Sequence, residues 1–137
     1  LARTELGELE NVSFHFMGEV ENKEAKAFFL NNAVDFFINA SESEGVPVSI
    51  MEAMSAGVPA IAPCVGGIRS LIDNSCGRLL SENPTPEEYC SSISKLYLGG
   101  DRKTMRETAR KKIEKDFSSE QNYRSFIKEV EYLVEEK

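Results

Sequence analysis

Tryptophan is absent from this 137-residue sequence, and histidine occurs once, as His15. A single histidine excludes any metal centre built from several imidazoles. Between Phe14 and Phe16, it reads as a strand residue. Cysteine is scarce too: Cys64, Cys76 and Cys90 are odd in number and widely spaced, so they form neither a complete disulfide set nor a Cys-x-x-Cys pair. They read as small buried or half-buried residues of a reducing compartment, which makes a cytoplasmic location the expectation. Cations are in deficit, with 16 Lys and Arg against 23 Asp and Glu, a net charge of −7. That excludes sequence-independent nucleic-acid binding, which needs surplus Lys and Arg to neutralise phosphates. Any phosphate bound here must be held by local geometry. Long apolar runs are missing as well; Val34-Asp35-Phe36-Phe37-Ile38 falls far short of the ~20 residues that span a bilayer. The opening Leu1-Ala2-Arg3-Thr4-Glu5 has no signal-peptide pattern, and nothing in the sequence supports membrane contact.

What is present describes one globular domain over residues 1–137, at 41% hydrophobic and 28% charged. A chain of this size buries roughly two-thirds of its extended surface, enough for one core without metal or disulfide support. Residues 12–17 alternate apolar and polar and stop at Gly18, while residues 35–40 form a near-continuous apolar run; both predict buried strands. Residues 59–63 and 77–80 are shorter strand candidates bounded by Gly, Pro, Asn or Ser. Between them, residues 23–30, 47–56 and 68–72 suit helices or a helical turn. Strand, helix, strand in repetition predicts a Rossmann-like parallel sheet with right-handed crossovers.

The second half reads as helical. Thr85 caps a helix over 86–98 that stops at Gly99-Gly100, and Asp101 caps another running to about residue 115, with Met105, Ala109 and Ile113 on one face. Ser118 caps a third, in which Tyr123, Phe126, Ile127, Val130, Leu133 and Val134 form an apolar stripe. Two places fit that stripe: this domain's own core, or a partner domain outside the chain.

The segment that carries chemistry is 41–57, Ser-Glu-Ser-Glu-Gly-Val-Pro-Val-Ser-Ile-Met-Glu-Ala-Met-Ser-Ala-Gly. It leaves a buried strand, turns at Gly45 and enters a helix near Pro47. In an open parallel sheet, ligands bind at the carboxyl ends of the strands, where helix N-termini edge a crevice. The first-turn amides of Val48 and Ser49 would favour an anion by about 0.3–1 kcal/mol, so a diphosphate fits without a basic patch. Glu44 and Glu52 flank the turn. A carboxylate accepts the paired hydrogen bonds that a vicinal diol offers, but spacing alone leaves an ordinary surface pair equally open.

The surrounding residues add to that. Residues 41–62, followed by Val65-Gly66-Gly67-Ile68, closely resemble the donor-binding signature of the family 4 retaining glycosyltransferases (glycosyl transferases group 1), which have two facing Rossmann-like domains, the GT-B type. Phe14-His15-Phe16-Met17-Gly18 and residues 35–41 match the preceding strands. The resemblance implies that Glu44 is the first acid of a Glu-x7-Glu motif, contacting donor-sugar hydroxyls, and that Glu52 is the second, holding the ribose. It implies that amides of Val46 and Val48 serve the sugar, that those of Val48 and Ser49 serve the phosphate, and that Gly18, Glu19 and Val20 flank the base. Gly45, Gly66 and Gly67 would let backbone approach the ligand closely.

The chain departs from the pattern at Ser70, where the family usually has Glu, and the family's phosphate-binding Arg and Lys fall on earlier segments. By the resemblance, residues 1–137 are the C-terminal part of a donor-binding domain. Its last helix, 117–137, is a candidate to pack on a missing N-terminal acceptor domain. The implied activity is transfer of a sugar from a nucleoside-diphosphate sugar to an acceptor hydroxyl in glycan or polysaccharide biosynthesis. No metal, cofactor or proton-transfer catalyst is expected among these residues, and the isolated fragment is expected to be inactive. A non-catalytic nucleotide-sugar-binding module and a nucleotide-sugar epimerase are the rival readings.

Overall fold

The computed structural model describes residues 11–99 and 101–135. The opening pentapeptide, Gly100 and the last two residues of the 117–137 tail lie outside the described residues. Helix α1 (Asn22–Asn31) leads to strand β1 (Phe37–Ile38), α2 (Val48–Ser55), β2 (Ala60–Pro63), α3 (Ile68–Leu71) and β3 (Gly77–Leu80). Helices α4 (Pro86–Gly99), α5 (Arg102–Asp116) and α6 (Ser119–Glu135) follow. The strands pair in parallel in the order β1-β2-β3, with Phe37 opposite Ala60 and Ala60 opposite Gly77. The Rossmann-like parallel sheet with flanking helices is thus observed.

Strand β2 is buried along its whole length, and its alternation divides the core. Ala60 and Ala62 face Ile50 and Met54 of α2, Ile68, Leu71, and Ala109 and Ile113 of α5. Ile61 faces the other way, towards Leu80 and Leu96, with Tyr89, Ile93 and Met105 around them. Small residues on one face of β2 let two helices lie close to the sheet, and that side carries the larger cluster. Helix α2 ends in a Schellman arrangement: Gly57 adopts φ +74°, its N–H donates to Met54 O, and Val58 N–H donates to Ala53 O. Asp101 caps α5 through Thr104 N–H, as expected.

Several expectations are corrected. Residues 12–17 form no strand; Phe14 and Phe16 meet edge-to-face at 5.5 Å, but no neighbouring backbone among the described residues completes a ladder. Period-two patterning supplies an apolar face, which by itself does not make a strand. Residues 35–40 contribute only Phe37 and Ile38 to the sheet, and Ile38 is 47% exposed because β1 is an edge strand. Consequently His15 is not a strand residue. Cys76 is buried and Cys64 half-buried as expected, but Cys90 is exposed on α4. The stripe on α6 does not cover this core: its residues are exposed, from Ile127 at 37% to Val134 at 68%.

Helix α5 is fastened at both ends. Arg102 pairs with Asp35 and Arg106 donates to Val34 O at 2.6 Å, just before β1. Lys112 meets Asp73 at 2.8 Å on the approach to β3. The Lys112 bond and those from Ser75 hold the Asp73 carboxyl far below the usual carboxylate range, and Lys112 is raised by the same contact. A depressed carboxyl stabilises the fold above its unfolded pKa of about 3.9, and that contribution fades as pH falls towards the native value. Because Asp73 is half exposed, its worth is discounted to about 1 kcal/mol or less. Asp73→Asn is therefore expected to lower the urea midpoint at pH 7, with the deficit shrinking as the pH is taken below 4; a deficit equal at pH 7 and pH 3 would contradict the ion-pair account.

Candidate functional site

After β1 the chain turns over the carboxyl edge of the sheet and enters α2. Pro47, buried at the N-cap, lacks an N–H, and no side chain caps the helix. No acceptor among the described residues takes the amides of Val46, Val48 or Ser49, and all three residues are exposed. The start of α2 therefore presents unsatisfied donors together with the positive end of the helix dipole.

The loop before it lies directly on the turn after β2. Gly67 N–H donates to Gly45 O at 2.8 Å. A Cβ on Gly66, whose φ is +50°, would lie 1.7 Å from Glu44 O, and one on Gly67 would lie 2.6 Å from Gly45 O. At Gly66 and Gly67 the chain's own backbone comes into close contact, which settles the Glu44 segment into place. Gly45 has open space where a Cβ would be. Glu44 is half-buried, and its Oε1 accepts from Asn39 Nδ2 at 3.3 Å.

Glu52 lies one turn into α2, and its side chain is 14% exposed. Its Oε1 accepts from Asn22 Nδ2 at 2.7 Å and meets Lys26 Nζ at 3.2 Å. Both partners come from the first turns of α1, so Glu52 is compensated by a cation and fixed from one side. Gly18, Glu19 and Val20 precede that helix, with Gly18 at φ +69°. Val20 and Met17 border a hollow of about 310 Å³ lined chiefly by Phe28, Phe29, Phe36 and Phe37. Two groupings result: Glu44 with Gly45, Gly66 and Gly67, and Glu52 with the start of α1 that follows residues 18–20. The first turns of α2 join them. Ser70 donates its hydroxyl to Gly67 O at 2.7 Å, so it closes the α3 turn. Asn22, Lys26 and Asn39 escaped sequence reasoning; the signals were an i, i+4 polar pair on α1 and one amide ending the apolar run at 36–38.

The model of the family described as glycosyl transferases group 1 matches residues 1–98. The chain belongs to that family. Over 95 residues this family member is 35% identical to the O-antigen biosynthesis glycosyltransferase WbnH of Escherichia coli, a match covering 69% of this chain and 25% of the relative. Over 54 residues it is 41% identical to the putative teichuronic acid biosynthesis glycosyltransferase TuaC of Bacillus subtilis, covering 39% of this chain and 13% of the relative. The chain thus spans a quarter or less of the curated relatives it matches. Sucrose-phosphate synthase from Thermosynechococcus elongatus superposes with a TM-score of 0.74 at 19% identity, over 90% of this chain and 31% of that one, a likeness of fold.

The glycine contacts generate a contrast. Gly66→Ala forces a left-handed backbone on an L-residue, at about 1–2 kcal/mol, and adds the overlap with Glu44 O. Gly45→Ala enters open space and is expected to change stability by no more than about 0.5 kcal/mol. Paired urea titrations check the ranking, which fails if Gly45→Ala is the more damaging.

Proposed function

We propose that the whole protein is a retaining glycosyltransferase of family 4 type, and that residues 1–137 supply much of its site for a nucleoside-diphosphate sugar. The observation that carries this reading is the unsatisfied start of α2, flanked by Glu44 on one side and Glu52 on the other. In the proposed complex the diphosphate lies against the amides of Val48 and Ser49. The donor sugar meets Glu44 and the amides of Val46 and Val48, the ribose diol meets Glu52, and the base lies beside Gly18, Glu19 and Val20.

As the bond to the sugar breaks, negative charge grows on the leaving diphosphate. Donors already aimed at that position stabilise it without having to reorganise. Neither Glu44 nor Glu52 moves a proton in this scheme; both orient the donor. Charge stabilisation through α2 is proposed to operate without a metal, so EDTA should leave the transfer rate unchanged. The acceptor is assigned to a facing N-terminal domain, on which the apolar stripe of α6 is proposed to pack, and the enzyme to the cytoplasm. No described helix is long and apolar enough to cross a membrane. The names of WbnH and TuaC support polysaccharide biosynthesis as the setting. Without the facing domain, these residues alone are expected not to turn over.

Ser70 favours one rival. Its hydroxyl is engaged by Gly67 O, so it does not stand in for the carboxylate expected there. A binding module without transfer activity would bind a sugar nucleotide and release no product.

In the whole protein Glu52→Ala is expected to raise the donor KM at least ~10-fold through loss of a charged hydrogen bond. Unchanged donor kinetics would remove Glu52 from the site. Proton NMR of the first product formed should show the anomeric configuration of the donor; the opposite anomer would overturn the retaining assignment, and no product with a bound donor would favour the rival.

A further inference from the structure

Asn39 is a polar residue in an apolar place. It follows β1 directly, is only 9% exposed, and every hydrogen-bonding group it has is engaged. Its backbone N–H donates to Ile61 O at 3.0 Å, which fixes it to β2. Its carbonyl accepts from the Tyr89 hydroxyl of α4 at 3.0 Å. Its Oδ1 accepts the Ser41 N–H at 2.9 Å, closing the first turn of the loop, and its Nδ2 donates to Glu44 Oε1 at 3.3 Å.

These last two contacts fix the orientation of the amide. Turning it over would set the oxygen against a carboxylate and the NH₂ against an N–H, so both bonds would become repulsive. The ends of the 39–44 loop are thus tied by one side chain, and Gly66 and Gly67 support its far end from below. Among the described residues Oε2 of Glu44 has no partner and remains available to a ligand. A carboxylate held at one oxygen gives up less freedom on binding through the other.

We propose that Asn39 is a positioning residue for Glu44, locked in turn by Tyr89, so that the acid meets the donor sugar already oriented. This rests on the reading of Glu44 as the donor-sugar acid. Asn39 itself touches no substrate in the scheme, and its effect passes through Glu44 alone.

Because Glu44 is assigned to the sugar and not to the nucleotide, the two halves of the donor form an internal control. In the whole protein, isothermal titration calorimetry would compare UDP, GDP and ADP with the corresponding nucleoside-diphosphate hexoses, keeping the pair that the wild type binds. Asn39→Ala should weaken the sugar nucleotide roughly 5- to 10-fold, as expected for the loss of one hydrogen bond acting indirectly through Glu44, while leaving the bare nucleotide within twofold. The double variant Asn39→Ala/Glu44→Ala should be no weaker than Glu44→Ala alone, since residues acting through one contact are not additive. Should Asn39→Ala fail to fold, Tyr89→Phe removes only the hydroxyl and should give a smaller loss, about threefold, again confined to the sugar nucleotide. Equal weakening of both ligands, or additive losses in the double variant, would reduce Asn39 to a structural residue and overturn the proposal. A Glu44→Ala variant with no selective loss would overturn the parent reading, and this proposal with it. Selective loss in Glu44→Ala but in neither Asn39→Ala nor Tyr89→Phe would sink this proposal alone.

Discussion

Backbone resting on backbone at Gly66 and Gly67 is the contact from which the rest of the site follows. A side chain at either position would occupy space already taken by the Glu44 and Gly45 carbonyls. The segment after β1 can therefore lie flat across the turn after β2, and the Gly67 N–H to Gly45 O bond holds it there. That height sets where Pro47 begins α2, and so where the free amides of Val48 and Ser49 emerge. It also sets the face on which Glu52 appears one turn later, opposite Asn22 and Lys26 of α1. Three elements far apart in sequence are brought to one edge of the sheet by two residues that lack side chains.

Much of this was legible beforehand, for physical reasons. Strands 60–63 and 77–80 are short, bounded by breakers and paired with each other in parallel, so composition and spacing suffice to find them. Helices α4 and α5 carry their own start signals in Thr85, Pro86 and Asp101. The two acids and the glycine pair stood out because their type and order match a known signature. What that signature could not give is what each group touches. Gly66 and Gly67 read as room for a ligand, and the structure adds that the Glu44 and Gly45 carbonyls pack against them. Asn39 was passed over because a single amide at the end of an apolar run is ambiguous until the loop beyond it is seen to fold back.

The failures have a common cause. Residues 12–17 and the stripe on α6 have clear apolar periodicity, and neither finds a covering surface among the described residues. Periodicity reports that a face is built to be covered; it does not say by what. A parallel sheet is normally enclosed on both faces, so an edge strand as short and exposed as β1 poses the same question. Each open apolar face lies in a chain that spans only a quarter of WbnH.

Phe117, half-buried against the main core between α5 and α6, gives the final helix a fixed root. From there the 17 residues of α6 extend about 25 Å. A tilt of ten degrees at that root would carry the far end sideways by about 4 Å, the width of a methylene chain. Geometrically the helix is a long pointer set in the same packed layer that supports α2, so whatever rests along its outer side is mechanically referenced to the sheet edge where α2 begins.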